Sequence, residues 1–347
     1  MTAESQTARF PTSGFGEVVR KTGFWERYLG KEGARVVREL ITNPLSVLGF
    51  VLIAIFVFIA VFAPVLAPPA NPDRPFEIPR DGFGPTPREP GASWDTYQPP
   101  LPFWWQPIMG TDQWTHIMGT VPGQWDIWYG VIWGTITAFR VGLIVTGSTL
   151  VFGLVVGAIS GYAGGMVDEV LQRITEIFLA FPFLIAALTV ATVLTPIVGK
   201  GVSPAMLSLI AFGWMTYARL IRGDMLSIKE RDYVMAARVV GVKPLGIVVR
   251  HILPNAIFPT LVVASLNMGS IVVTFSALSF LGVGPEVGYA DWGTLVSFTR
   301  SWIPLLATYW YIIVFPGLPL ILFVLGWNFV GDALRDVLDP RMRGARA

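Results

Sequence analysis

Few residues of this chain are of the types that carry catalytic or metal chemistry. The chain has no Cys, which excludes disulfides, Cys-ligated zinc and a Cys nucleophile. Its two His residues, His116 and His251, are far apart and are predicted on opposite sides of a membrane, so no His metal cluster is expected. The apolar segments contain no Ser, His and Asp set suited to nucleophilic catalysis. We therefore predict that the chain is not an enzyme.

A nucleotide site of its own is not expected either. A phosphate-binding loop needs G-x-x-x-x-G-K-[ST], in which backbone amides and the Lys hold the phosphates. The two Gly-Lys pairs, in Leu29–Gly33 and Val198–Gly201, lack the first Gly of this motif. We predict that the chain alone does not hydrolyse ATP and binds no cofactor.

Polar side chains within apolar segments are the remaining candidates for a functional site. The segment around "SLNMGSIVVTFSALS" places Asn267, Ser270 and Thr274 on one predicted helix. Polar groups inside a membrane are costly and tend to face a bundle interior or a pathway. Small and hydroxyl residues also serve ordinary helix packing. Both interpretations, helix packing and a translocation pathway, remain open.

Six segments are long and apolar enough to span a bilayer, which needs about 20 apolar residues per helix. The chain is 53% hydrophobic and only 14% charged, against about 25% charged residues in soluble domains. This composition predicts an all-α polytopic membrane protein, with Pro182 bending the third span. The predicted spans are Leu45–Ala67, Trp133–Ser160, Val170–Val193, Ser203–Leu220, Ala256–Leu281 and Pro304–Val330.

The distribution of positive charge predicts the orientation. With the N-terminus inside, 19 of the 25 Lys and Arg residues fall on the inner side, which is a strong positive-inside pattern. We therefore predict that residues 1–44 and the tail, 331–347, are cytoplasmic. Residues 24–40 fit either an amphipathic helix on the inner membrane face or a solvated linker. The first forty residues contain no apolar signal-peptide core, so the first span is expected to direct insertion.

A long Pro- and Trp-rich insertion, residues 68–132, is predicted to be external. Between residues 68 and 130 it carries seven acidic and three basic residues. Its Pro residues disfavour regular helix and sheet. One interpretation is a lid that packs on its own protein or lies at the headgroups, where Trp is enriched. The other is a docking surface for an external partner.

The basic stretch "YVMAARVVGVKPLGIVVRHILPN" lies between the fourth and fifth spans. Upstream, Ser227 and Glu230 fit a capping box, which predicts a helix beginning near Ile228. Gly241 suits a left-handed cap at the end of that helix, and Pro244 suits the first turn of the next one. Leu253–Pro254 is predicted to end this second helix, and Asn255 to cap the fifth span.

This stretch contains two consecutive small residues and more apolar residues than an exposed loop needs. Ala236 and Ala237 would let another surface approach closely, and Val234, Val239, Val240 and Val242 add apolar area. The residues alone fit either a docking element for another protein or a loop packed on its own bundle.

The stretch resembles the EAA loop of ABC-importer membrane subunits, with the pattern E-A-A, three residues, G, nine residues, I-x-L-P. Ala236–Ala237, Gly241 and Leu253–Pro254 match at that spacing. Met235 stands in place of the Glu and His251 in place of the first Ile. The segment "RHILPN" is typical of the dipeptide/oligopeptide branch.

The resemblance to this branch covers about two-thirds of the chain. The segments "NPLSVLGFVLIAIFVFIAVFAPVLAP", "GYAGGMVDEVLQRITEIFLAFPFL", "ALSFLGVGPEVGYADWGTLV" and "GWNFVGDALRDVLDPRMR" are similar to those of C-type permease subunits. It is not expected to hold between Ala70 and Arg140, where the family's G-R-D is missing and the loop is longer.

The resemblance implies a type I ABC-importer permease fold in a prokaryotic cytoplasmic membrane. The first helix, 45–67, would precede a five-helix core, 133–330, containing a coupling loop, 223–254. It implies a B-type permease partner, two ATPase subunits that bind ATP and Mg, an external solute-binding protein and no nucleic acid. The implied ATPase-coupling residues are Arg231, Tyr233, Met235, Ala236, Ala237, Arg238, Gly241, Pro244, His251, Leu253 and Pro254.

The resemblance makes peptides the expected substrate, although members of this branch also import oligosaccharides and nickel complexes. A secondary transporter or channel is the alternative of another class. It would need acidic groups deep in the spans or an inverted repeat, and the sequence shows neither.

Overall fold

The computed structural model describes residues 40–96 and 99–338. Most of the predicted N-terminal segment, 1–44, including residues 24–39, and most of the tail, 331–347, therefore lie outside the described residues. The helices are α1 (Pro44–Leu66), α2 (Trp105–Met109), α3 (Ile127–Ala163), α4 (Gly165–Leu179), α5 (Phe183–Val198), α6 (Val202–Ile228), α7 (Asp232–Val239), α8 (Pro244–Ile247), α9 (Leu253–Phe280), α10 (Trp292–Ser297) and α11 (Tyr311–Leu338). Strands β1 (Thr120–Val121) and β2 (Trp125–Asp126) pair antiparallel.

Five helices in the described residues are long and apolar enough to cross a membrane, and a bent pair of helices provides up to one more. The five are α1, α3, α6, α11 and the continuous run of α8, a π-helical turn (Val248–Ile252) and α9. The six predicted spans therefore correspond to helices at the expected places along the chain.

The third predicted span, Val170–Val193, is not one helix. Helices α4 and α5 meet at 88°, with the break between Leu179 and Phe183. Pro182 has no N–H to continue the ladder and restricts the residue before it, so the helix stops there instead of merely kinking. α4 is amphipathic: the apolar Met166, Val170 and Ile177 are exposed on one side, as in helices that lie along a membrane surface.

Glycines on α3 let α6 approach it closely. Gly153, Gly157 and Gly161 are spaced four residues apart, so they share one helix face. A Cβ added at Gly157 would come within 2.5 Å of the Ala218 carbonyl oxygen, and one at Gly161 within 2.7 Å of the Met225 Cβ. This is the small-residue packing expected of membrane helices.

The predicted boundaries between the fourth and fifth spans are partly wrong. α6 continues through Ser227 to Ile228, so the expected capping box does not start a helix; α7 begins at Asp232. The expected stop at Leu253–Pro254 is also absent, because the π-helical turn leads directly into α9. Asn255 therefore lies inside the first turn of α9, where its amide donates to the His251 carbonyl (2.9 Å), and does not cap it. Pro254 directly follows the π-helical turn, where the Leu253 N–H bonds to the Val248 carbonyl and the regular i to i−4 ladder is already interrupted.

The described residues between α1 and α3, 68–96 and 99–126, form a unit that we call the cap. It packs on its own protein: the Ile78 N–H donates to the Gly288 carbonyl and the Ala290 N–H to the Phe76 carbonyl, both at 2.7 Å. Ile78 is buried in one apolar cluster with Leu295 and residues of α3 and α11. The interpretation as a lid packed on its own protein fits this arrangement.

Three Trp side chains bind the C-terminal end of α1, which lies next to the cap. The last carbonyls of a helix lack intrahelical partners, and here indole N–H groups supply them. Trp104 donates to the Val65 carbonyl (3.0 Å), Trp128 to that of Leu66 (3.2 Å) and Trp133 to that of Ala67 (2.8 Å). The Trp-rich sequence therefore serves, in part, to terminate a span.

A buried polar network stabilises the cap from within. His116 is fully buried, with Nδ1 2.7 Å from an Asp126 oxygen and Nε2 3.2 Å from an Asp81 oxygen. Asp81 also faces the Arg88 guanidinium at 3.1 Å. Burial by itself raises the pKa of Asp81. The backbone N–H groups of Thr96 and Asp95, the hydrogen bond to His116 and the positive charge of Arg88 outweigh burial, so the pKa lies below its ordinary value.

Candidate functional site: the α7–α8 helix pair and the spans that hold it

The two short helices α7 and α8 are joined by a tight turn at Gly241. Its φ is +85°, in the region that only Gly enters without strain. The Gly241 N–H donates to the Arg238 carbonyl (3.0 Å) and the Val242 N–H to that of Ala237 (3.1 Å), which closes the end of α7. Pro244 then occupies the first turn of α8. The helix-terminating Gly241 and the helix-starting Pro244 are where the sequence predicts them.

One face of the helix pair is anchored to the spans. Val234 and Ile252 are fully buried and Ile247 is almost so, and they form one apolar cluster with Ile221 and Met225 of α6. Burying an aliphatic side chain of this size is worth about 1.5–3 kcal/mol. The pair is therefore held rigidly against the end of α6.

The opposite face presents apolar side chains to the surroundings. Val239 is 88% exposed, Val240 83% and Leu245 75%. A loop that only packs on its own bundle would bury such residues. The four Val residues of the predicted docking stretch thus divide: Val234 is buried, Val242 is partly buried against the same cluster, and Val239 and Val240 point away from the protein.

The predicted coupling residues are distributed over both faces. Ala237, His251 and Leu253 are half-buried. The others are exposed: Arg231, Tyr233, Met235, Ala236, Arg238, Gly241, Pro244 and Pro254. The inward anchors, Val234 and Ile247, were not among the predicted site residues, although their apolar character in a predicted surface loop is a usable signal.

An ion pair next to the helix pair was not found from the sequence. Arg222 of α6 donates to Asp168 of α4 through Nε and one terminal nitrogen, both at 2.6 Å. Asp168 also accepts from the Ser160 hydroxyl, to which the Gln172 amide donates (2.9 Å). An acidic residue in the first turn of α4 is favourable for the helix dipole. This cluster ties α3, α4 and α6 together.

The three predicted pathway residues lie along one side of α9. Asn267 is half-buried and its amide donates to the Tyr217 hydroxyl on α6 (3.1 Å). Thr274 is half-buried and donates to the Ser270 carbonyl one turn earlier (2.9 Å), while Ser270 is exposed. Asn267 therefore takes part in helix packing, and Ser270 is the most accessible of the three.

The chemistry available to this end of the molecule is that of packing and docking. Within the described ranges, 40–96 and 99–338, no group of three or more His, Asp or Glu side chains is placed to hold a metal ion. What the arrangement offers is a rigid two-helix element, anchored by an apolar face and accessible on the other.

Comparison with known proteins identifies the family. Residues 153–344 match the family described as the binding-protein-dependent transport system inner membrane component, and residues 33–100 match the N-terminal TM domain of oligopeptide transport permease C. The expectation that the resemblance fails between Ala70 and Arg140 is wrong for residues 70–100, which the second match covers; residues 101–140 lie outside both matches.

Characterised relatives match most of the chain. The dipeptide transport system permease protein of Alkalihalophilus pseudofirmus is 31% identical over 88% of this chain and 89% of its own length. The oligopeptide transport system permease protein of Bacillus subtilis is 30% identical over 87% of both chains. A solved chain of the MetNI methionine ABC transporter, in an inward facing conformation, aligns with 61% of this chain and 97% of its own length. The sequence identity is 23% and the TM-score is 0.49. The present chain therefore belongs to the family of binding-protein-dependent transport system inner membrane components, as a multi-pass permease subunit of an ABC importer in the inner membrane.

Proposed function

We propose that this chain forms half of a translocation pathway for dipeptides or oligopeptides and receives the motion of its ATPase subunits through residues 231–254. The observation that carries the coupling role is the two-faced helix pair: Val234 is fully buried against α6, whereas Val239 and Leu245 are largely exposed. The relatives whose names specify dipeptides or oligopeptides support the substrate class.

A coupling element must be rigid and must be joined to the spans it moves. α7 is joined to α6 through the cluster around Val234, and α8 continues without a stop into α9. A force on the exposed face of the pair would thus reach two spans directly. The exposed site residues form this surface, with Ala236 and the half-buried Ala237 allowing close approach and Gly241 fixing the angle between the helices.

The basic charge near the helix pair supports a cytoplasmic location. Seven Lys and Arg residues fall between Arg219 and Arg250, and positive loops are retained inside. Both termini would then be cytoplasmic and the cap external. In this arrangement residues 45–67 form an added first span, 68–132 the external insertion and 133–330 the permease core.

The proposed partners would supply the nucleotide-binding site that the sequence does not contain and would dock on the exposed face of the α7–α8 pair. A B-type permease would supply the other half of the pathway, and two ATPase subunits would bind ATP and Mg and dock on the helix pair. An external solute-binding protein would deliver the substrate. The exposed part of α9 around Ser270 is the proposed pathway face.

The test is purification of the whole assembly in mild detergent, followed by reconstitution with the binding protein. We expect ATPase subunits to co-purify and peptide uptake to require ATP. Uptake by this chain alone, without ATPase subunits, would refute the proposal. Uptake of oligosaccharides or nickel complexes, with peptides rejected, would refute only the substrate class.

A further inference from the structure

The segment Pro99–Gly110 is an uncharged, apolar part of an otherwise acidic cap. Its sequence, "PPLPFWWQPIMG", contains no Asp, Glu, Lys or Arg. Trp105 is buried and its indole donates to the Gln113 carbonyl (3.1 Å), which fixes the short helix α2 to the cap. The side chains on the other side are left exposed: Phe103 by 78%, Ile108 by 70% and Met109 by 51%.

The position of this segment relative to the membrane follows from α1. A 23-residue helix is about 34 Å long, slightly more than the roughly 30 Å hydrocarbon core, so its last residues lie at the boundary with the headgroups. Trp104, inside the segment, donates to the carbonyl of Val65 in the last turn of α1. The segment is therefore held at the depth at which a bilayer changes from hydrocarbon to headgroups.

The exposed side chains continue the apolar surface of α1. Phe58, Val61 and Phe62, in the second half of α1, are exposed by 54%, 67% and 42%. Only 17% of the most apolar 18-residue stretch of α1 is buried in the protein. Most of the surface of this helix is therefore available to lipid. Trp104, whose indole reaches Val65 one turn beyond Val61 and Phe62, lies between Phe103 and Ile108, and no charged residue occurs between positions 99 and 110.

We propose that residues 99–110 rest in the membrane interface as a lipid-contacting foot of the cap, with Phe103 and Ile108 inserted among the lipids. Aromatic and aliphatic side chains on a short segment without charge suit the boundary between headgroups and acyl chains, and Trp104 lies where Trp is enriched in membrane proteins. The acidic remainder of the cap, in contrast, suits water. The foot would keep the cap at a fixed height above the end of α1.

The chain provides a matched control position on the same cap. Phe83 is 83% exposed, and its ring lies 4.1 Å from the Arg80 guanidinium, which also lies over Trp125. Phe83 is therefore an exposed Phe of the same cap that lies against a charged group, which residues 99–110 lack.

The absence of Cys permits a direct test by site-specific labelling. Phe103→Cys, Ile108→Cys and Phe83→Cys would each be labelled with an environment-sensitive fluorophore in the assembled complex, reconstituted in vesicles. The complex with the unsubstituted chain would be labelled in parallel to correct for partner subunits. The fluorescence is measured with nitroxide-labelled acyl chains in the lipid and, separately, with aqueous iodide.

We expect acyl-chain nitroxides to quench the labels at positions 103 and 108 and iodide to quench the label at 83. Quenching at 103 and 108 by iodide, to the same extent as at 83, would show a solvated surface and overturn the proposal. Protection from both quenchers, or protection that appears only when the solute-binding protein is added, would show a protein partner and overturn it as well.

Discussion

Arg222 and Asp168 form a two-pronged ion pair, with both N–H···O distances at 2.6 Å, that fastens α6 to the first turn of α4. The geometry matters because α6 also carries Ile221 and Met225, against which the α7–α8 pair packs, and α4 leads through the 88° bend to α5. A displacement of the helix pair can therefore pass through α6 to two further helices.

Removing this ion pair should weaken both the fold and coupled transport. Asp168→Asn keeps the shape but loses the charge, and hydrogen bonds to charged groups contribute about 1.5–3 kcal/mol. We expect a lower Tm and a lower ratio of peptide transported to ATP hydrolysed. Arg173→Gln, which breaks the exposed Arg173–Glu176 pair on the same helix, should change neither. The double exchange Asp168→Arg with Arg222→Asp should restore part of the ratio; equal loss in this variant would argue against the ion pair.

Changing Gly241 should separate ATP hydrolysis from transport. At φ +85° a β-branched side chain is strained, so Gly241→Val should alter the angle between α7 and α8. We expect ATPase activity to persist while uptake falls. In Gly223→Val the added side chain meets open space within a regular helix, and uptake should be retained. Normal uptake in Gly241→Val would be incompatible with the coupling role.

Loss of one indole donor at the end of α1 should destabilise the chain. Trp133→Phe leaves the Ala67 carbonyl, 2.8 Å from the indole nitrogen, without its partner in a buried site. An unsatisfied buried group costs about 1–3 kcal/mol, which thermal unfolding in nanodiscs would detect. Trp310→Phe, at a half-exposed position, is the control. Equal Tm values for the two variants would contradict the stabilising role of the indole bond.

The buried His of the cap should be a second point of sensitivity. His116→Ala leaves Asp81 and Asp126 facing each other across a cavity without the ring that both contact. Leaving a buried polar group without its partner costs about 1–3 kcal/mol, so we expect a lower Tm and faster proteolysis of the cap. Arg74→Ala removes an exposed pair with Glu77 on the same cap and should have little effect. A His116→Ala variant with the parental Tm would show that the network contributes nothing.

Asn267 can be assigned to packing or to the pathway with two variants. Asn267→Ala and Tyr217→Phe break the same 3.1 Å hydrogen bond from opposite sides. Such bonds between membrane helices average about 0.6 kcal/mol, so both variants should show the same small loss of stability. If Asn267 acts only in packing, their uptake kinetics will match as well. A change in substrate preference that occurs only in Asn267→Ala would place this side chain on the pathway.

Much of the architecture was predictable because the bilayer imposes strong local requirements. Length and hydropathy predicted six spans. Gly241, as a helix terminator, and Pro244, as a helix start, predicted the two short helices, and motif spacing predicted the family. The boundaries were less accurate, since Ser227 and Pro254 fit both a helix end and a helix interior. Only packing against the neighbouring helices decides between the two.

The sequence by itself determined that this chain spans the membrane, lacks a nucleotide-binding motif and carries a two-helix element between two spans, because composition, charge and turn residues act locally. The tertiary structure alone decided which side of that element is exposed, that Arg222 meets Asp168 across 54 residues of sequence, and that the indoles of Trp104, Trp128 and Trp133 complete the end of α1. Each depends on groups distant in the chain that become neighbours only when the helices pack.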